Sequence, residues 1–312
     1  MTRKPPPTAL DVVVTGASGD LGQHVVRELL RRGHAVRALV RTRDERANWL
    51  QREGATLDDG DLFDERSLHR AARSATGMIH CAARESHARC DAASTRSLLV
   101  EGTSSILRVA RRRGVERIVH VSSMFAVGLR RDDTPMDEET PWRGDELPLV
   151  AVVHARREAE ERVLTAARAG LPAVVVNPDV MVGARADGAR CSLFRAGPVG
   201  AIPARGGSVA RIEDVALGCC LALESGAAGR RYVLGGENLD LRAEARRVAR
   251  AAGLPTPSLG PTAALRGPAL ALARLIDRPP MDAVRLWGWN TYADSSRARD
   301  ELGYAPGPIT HP

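Results

Sequence analysis

Residues 11–22 read D-V-V-V-T-G-A-S-G-D-L-G. The β-branched run Val12–Val14 predicts a buried strand, and glycines at Gly16, Gly19 and Gly22 follow it. An amphipathic helix is predicted over Leu21–Arg32. Strand, glycine turn and helix in that order form the fingerprint of a dinucleotide-binding loop. Gly16 permits the tight turn, Gly19 lets the backbone approach a pyrophosphate, and Gly22 lets the helix pack closely on the strand. The helix N-terminus then offers unpaired N–H groups and positive dipole to the phosphates.

Outward from this loop, apolar strands alternate with amphipathic helices. Strands are predicted at Ala35–Val40, Met78–Cys81, Ile118–Val121 and Ala173–Val176, and helices near Glu65–Ala72, Ser97–Arg113 and His154–Ala169. Gly33, Gly114 and Gly170 each stand just past a helix, where a C-terminal cap belongs. The pattern is that of an α/β protein with a Rossmann-type doubly wound parallel sheet. After Pro178 it loosens into Gly/Pro-rich stretches around 183–207. A helix from Glu213, a strand at Tyr232–Leu234, a helix from Leu241 and a short helix near Ser295–Leu302 follow. The expected division is a nucleotide domain over 10–178, rejoined by 208–238, and a smaller irregular C-terminal substrate lobe over most of 179–312.

The 312 residues are 44% hydrophobic, enough for a sizeable core, and only 3% aromatic. Net charge is +7 and comes from arginine, since Lys4 is the sole lysine. The arginines stand singly or in short helical runs such as Arg111–Arg113, which read as solvated faces, so no nucleic-acid partner is expected. Cys81, Cys90, Cys191, Cys219 and Cys220 show no metal-ligand spacing and suit reduced thiols. No apolar run approaches membrane-spanning length, and M-T-R-K-P-P-P lacks a signal-peptide core, so a cytoplasmic protein with no membrane contact is expected.

The second strand carries the nucleotide choice. An acidic residue at its end would bind a ribose 2′-hydroxyl. Here Val40 is followed by Arg41-Thr42-Arg43, so a 2′-phosphate, and hence NADP(H), is expected, with Arg41 pairing the phosphate and lying flat on the adenine. Both arginines could instead be surface charges. Asp61 would hold the adenine amino group or cap a helix.

The segments TGASGDLG, VRALVR, GDLFDERSL, MIHCAA, VEGTSSILRVARRRGVERIVHVSS, REAEERVL, GLPAVVVNP, IEDVA, RYVLGGENL and SSRARDELGYAP span nearly the whole chain. In them it resembles the extended short-chain dehydrogenase/reductase family, in its dihydroflavonol-reductase-like branch. The resemblance implies that Gly16, Ala17, Ser18, Gly19, Asp20, Leu21, Gly22, Arg41, Asp61, Leu62, Cys81, Ala82 and Ala83 line the cofactor. Val121, Ser122, Ser123 and Pro178 would lie at strand ends facing the nicotinamide. The helices Ser97–Arg113 and His154–Ala169 are a pair such proteins use to dimerise, although their arginine-rich faces also suit a monomer.

The family's Asn-Ser-Tyr-Lys tetrad is broken. N-V-E-G-T reads L-V-E-G-T, placing Leu99 at the asparagine, while Ser123 keeps the serine. Y-x-x-x-K-x-x-A-E, anchored on Ala159-Glu160, places Val152 at the tyrosine and Arg156 at the lysine. Arg156 keeps a positive charge one turn from Val152 and could hold the ribose or draw in an oxyanion. Losing a positioned proton donor costs on the order of a hundredfold to ten-thousandfold in rate. A ketone carrying its own hydrogen-bonded phenol would not need that donor, and Ser123 could add a hydrogen bond to the oxyanion or merely satisfy backbone. The expectation is therefore an NADPH-dependent ketoreductase acting on a hydroxylated aromatic ketone of polyketide type, with Ser123 and Arg156 as catalytic residues and no metal. Enzymes that reduce angucyclinone ketones without the tyrosine look similar in this respect. The alternative is a catalytically silent NADP-binding sensor or scaffold; sugar epimerisation would need a base that is missing. His154 is expected to face away from Val152, His80 and His120 to be satisfied core histidines, and Asp179 to be a substrate contact or a plain loop residue.

Overall fold

The computed structural model describes residues 9–82, 92–144, 150–183, 206–241, 243–244 and 285–309. The elements run β1 (Asp11–Thr15), α1 (Asp20–Arg31), β2 (Ala35–Val40), α2 (Glu45–Arg52), β3 (Thr56–Asp59), α3 (Glu65–Ala71), β4 (Gly77–His80) and α4 (Ala92–Arg96). A π-helical turn (Ser97–Glu101) leads into α5 (Gly102–Arg113), then β5 (Arg117–Val121), α6 (Met124–Val127), α7 (Ala151–Arg168), β6 (Ala173–Pro178) and β7 (Val180–Val182). There follow β8 (Gly206–Arg211), α8 (Ile212–Ser225), β9 (Arg231–Leu234), β10 (Glu237–Asp240) and a second π-helical turn (Ala298–Leu302).

Seven strands form one parallel sheet in the order β3-β2-β1-β4-β5-β6-β9. Alternation along β1 sends Val12 and Val14 into one apolar layer with Val25 and Leu29 of α1 and Leu223 of α8. It sends Val13 into the other, with Ile106 and Val109 of α5 and Val163 of α7. Each such side chain contributes about 1.5–3 kcal/mol when fully buried. Helices on both faces make the sheet doubly wound. Strand order reverses between β1 and β4, which opens a crevice beyond their carboxyl ends.

A second sheet, β10-β8-β7, pairs β8 antiparallel with β10 and parallel with β7. Asp179, between β6 and β7, staples it to the main sheet. Its Oδ2 accepts from Ser208 N at 2.9 Å and from the Thr291 hydroxyl at 2.5 Å, so the carboxylate works as a fold anchor. The helix expected from Leu241 and the Gly/Pro-rich stretch after Gly183 fall largely outside the described residues, as do Ala83, Cys90 and Cys191.

Candidate active site

The glycine loop follows β1 directly. Gly16 has φ +71, and a Cβ there would stand 2.6 Å from Ala82 N, so the loop is pressed against the end of β4. A Cβ on Gly22 would stand 2.1 Å from the Gly16 carbonyl oxygen. Gly19 is the N-cap of α1 and supplies no side-chain cap, which leaves the first-turn N–H groups clear of a competing carboxylate or hydroxyl. Ala17, Asp20 and Leu21 are buried around the loop. Backbone clearance at Gly19, the uncapped helix and the missing Cβ atoms together fit a dinucleotide pyrophosphate.

At the end of β2, Arg41 is exposed, with Arg43 close behind it. Arg43 is committed elsewhere: its Nε lies 2.7 Å from Asp59 in an exposed ion pair that holds the edge of β3. Arg46 is a residue the sequence reading missed. Helix α2, N-capped by Asp44, carries its guanidinium back to the glycine loop, where Nη1 donates to Ser18 O at 3.3 Å. Asp61 lies past β3 and accepts the Phe63 N–H at 2.9 Å, while Asp64 is the residue that caps α3. Leu62 is buried, and a Cβ on Gly102 would meet its Cδ1 at 3.0 Å.

Beneath the loop, His80 joins two elements. The Thr103 hydroxyl donates to Leu99 O at 2.6 Å, so its oxygen accepts from His80 Nε2 at 3.2 Å, and His80 Nδ1 accepts from Thr15 Oγ1 at 2.6 Å. Burial pushes this imidazole down to about 4, so it stays neutral. Burial likewise pushes the Cys81 thiol up to about 12. His120 is buried beside His80, with ring centroids 5.4 Å apart. Burial first, then His80 and Arg156, hold it neutral. It departs from expectation: its Nδ1 has no hydrogen-bond partner, nor has the buried Ser122 hydroxyl.

β5 ends at half-buried Val121, followed by buried Ser122 and half-buried Ser123. Ser123 Oγ accepts the Phe125 N–H at 3.3 Å and caps α6. That bond uses a lone pair and leaves the hydroxyl proton to donate. Arg156 Nη1 donates to Ser122 O at 3.0 Å, which brings its charge to the same strand end. Pro178 closes β6 beside them. Leu99 and Val152 pack into one apolar group with Val100, Ala155 and Ala159. Val152 also touches a second group containing Leu129, Val153, Trp289, Phe125 and Trp142. His154, two residues on, stacks edge-on against Trp142.

The tyrosines all lie elsewhere. Tyr232 OH donates to Glu301 at 2.8 Å, Tyr304 is buried under the influence of Asp214 and Cys219 of α8, and Tyr292 lies across Gly206 on β8.

Residues 12–197 match the NAD dependent epimerase/dehydratase family. The chain belongs to this family. As an epimerase/dehydratase-family member it is 33% identical, over 93% of its length and 88% of the relative, to a Synechocystis sp. protein provisionally called dihydroflavonol 4-reductase. It is 31% identical, over 96% and 92%, to 4-hydroxy-2-methyl-3-oxo-4-farnesyl-3,4-dihydroquinoline-1-oxide ketoreductase of Stigmatella aurantiaca. Among solved structures, gox2253 superposes with a TM-score of 0.79 at 34% identity, covering 95% of this chain and 93% of that one. These relatives place the chain in an oxidoreductase family. No helix among the described residues is long and apolar enough to cross a membrane.

Proposed function

We propose that the protein is an NADPH-dependent ketoreductase whose substrate, a hydroxylated aromatic ketone of polyketide type, supplies the proton-donating hydroxyl that the protein lacks. The observation that carries this reading is the packing of buried Leu99 and half-buried Val152 in one apolar group, with Val152 on the same helix that carries Arg156 to the end of β5, where Ser123 follows. Where the family resemblance puts an amide and a phenol, this chain presents a hydrocarbon wall backed by Phe125, Trp142 and Trp289. Such a wall suits a flat aromatic ring and cannot move a proton.

A nicotinamide bound in the crevice supplies the hydride. The chain's own residues bind and orient. The glycine loop and the α1 N-terminus would hold the pyrophosphate, and Arg41 with Arg46 would flank a 2′-phosphate. Ser123 would donate one hydrogen bond to the ketone oxygen as negative charge develops there, and Arg156 would add its field through the strand end. Residues beyond Pro178 would form most of the substrate lobe, whether the protein is a monomer or a homodimer.

Incubation with NADPH and a hydroxylated aromatic ketone tests the reading. One NADPH consumed per alcohol formed, with none consumed on sugar nucleotides, supports it. Tight NADPH binding without turnover of any such ketone supports instead a silent NADP-binding sensor, which the same missing donor would also explain.

A further inference from the structure

Two successive carbonyls at the end of β5 are gripped from behind. Arg156 holds Ser122 O, and Asn177 Nδ2 donates to Ser123 O at 3.1 Å. The same amide donates to Glu160 Oε2 at 2.6 Å. Glu160 and Asn177 are both 0% exposed. The other Glu160 oxygen accepts from Arg231 Nη1 at 3.2 Å, and Arg231 also donates to the Glu138 carbonyl. Thus α7, β6, β9 and the segment after α6 converge on one ion pair, whose carboxylate is fully buried and whose guanidinium is half-buried.

Burying such a carboxylate and amide is costly, and apolar side chains of similar volume would fill the space at least as well. What the polar set adds is direction. Ser123 O and the Glu160 carboxylate are both pure acceptors, so both require the amide nitrogen, and the orientation of Asn177 is decided by chemistry. Its Oδ1 is left buried without a partner. The amide is therefore not arranged for its own satisfaction. The carbonyls it and Arg156 hold belong to the two peptide planes flanking Ser123. With both planes fixed, only χ1 remains to the Ser123 side chain, and the Phe125 N–H at 3.3 Å selects its rotamer.

We propose that Asn177, aimed by the buried Glu160 and its partner Arg231, is a positioning residue that fixes the direction of the Ser123 hydroxyl. The inference deepens the ketoreductase reading and rests on it for the hydroxyl's role at the ketone. The geometric part stands separately. A carboxyl group that accepts at both oxygens suits this work, because a glutamine could turn its own N–H groups toward Asn177 Oδ1 and let the amide flip.

Two measurements on Asn177→Leu test it. The first is exchange of the Phe125 amide, read by NMR or mass spectrometry, which needs no substrate. Protection of Phe125 should fall at least about tenfold while Val13 in β1 is unchanged. The second is kinetic: kcat should fall roughly tenfold or more with the NADPH Kd within about twofold, since misplacement acts on the reacting geometry. In a Ser123→Ala background the same Asn177→Leu change should lower kcat no further. Where Asn177→Leu does not fold, Glu160→Gln gives both readouts at smaller amplitude. Unchanged Phe125 protection overturns the proposal, and so does an equal loss of kcat with and without Ser123. If no ketone is turned over by the wild-type protein, the ketoreductase reading fails, and the exchange measurement still decides the positioning.

Discussion

Gly19→Ala and Gly22→Ala separate the loop's two jobs. At Gly22 the added methyl would sit 2.1 Å from Gly16 O and 2.9 Å from Ala17 Cα, and both neighbours are backbone. No side chain can swing away, so α1 or the loop must shift by roughly an ångström. Overpacking of this kind costs about 2–3 kcal/mol, or a fall in Tm of about 3–5 °C for a chain of this size. At Gly19 the methyl would meet only Gly16 O, at 3.1 Å, and φ is −72, which any residue accepts. The fold should lose about 1 kcal/mol or less from the poorer cap. The methyl would nevertheless stand where a pyrophosphate must approach the helix N-terminus, and NADPH affinity should drop at least about tenfold, or ~1.4 kcal/mol. Calorimetry and NADPH fluorescence titration read the two effects. Gly22→Ala should lose stability and binding together, and Gly19→Ala binding alone. A Gly19→Ala protein that binds NADPH like the parent, or a Gly22→Ala protein with the parental Tm, would refute the reasoning.

Removing Arg41 and Arg46 together should weaken NADPH by about 2 kcal/mol or more while sparing NADH, measured as the ratio of the two Kd values; equal losses would take the 2′-phosphate away from these residues. Glu224 of α8 meets Arg32 and His34; burial alone would raise its carboxyl, but those bonds outweigh it and hold it below the ordinary range. Its folded value lies below the unfolded one, so its stabilisation is full above the unfolded value and is lost as pH falls through the folded one. Urea denaturation should show Glu224→Gln about 2 kcal/mol less stable at neutral pH, with the gap closing in acid; a constant gap would contradict this. His80, held neutral down to about 4, should show an Nε2-protonated, non-titrating ring by NMR between pH 5 and 7, and titration there would break the Thr15–His80–Thr103 chain.

The parallel sheet was legible because its strands are buried on both faces. Val12–Val14 and Ala173–Val176 read as continuous apolar runs, and the tight turn at Gly16 and the close helix packing at Gly22 followed from one loop. β3 escaped because Thr56-Leu-Asp-Asp is an edge strand with no apolar alternation, held instead by parallel pairing with β2 and by Arg43 on Asp59. β8 escaped because it begins Gly206-Gly207, which reads as a turn; Tyr292 and Leu241 pack where side chains would stand. At the site, Ser123, Val152 and Leu99 could be placed by spacing, yet nothing in spacing told that Leu99 and Val152 share one apolar group. The contacts of Arg46 and Asn177 were invisible for the same reason: which carbonyl each reaches, Ser18 O or Ser123 O, is set by tertiary packing. His120 shows the converse, since an apolar strand context foretold its burial but not its unpartnered nitrogen.

The central claim is that the substrate's hydroxyl takes the place of the missing phenol. It is tested most directly by comparing NADPH-driven reduction of an aromatic ketone bearing a hydroxyl beside the carbonyl with that of its methyl ether. Reduction of the hydroxyl compound, with the ether slower by about a hundredfold or more, is the predicted result. Equal rates for the two would contradict it.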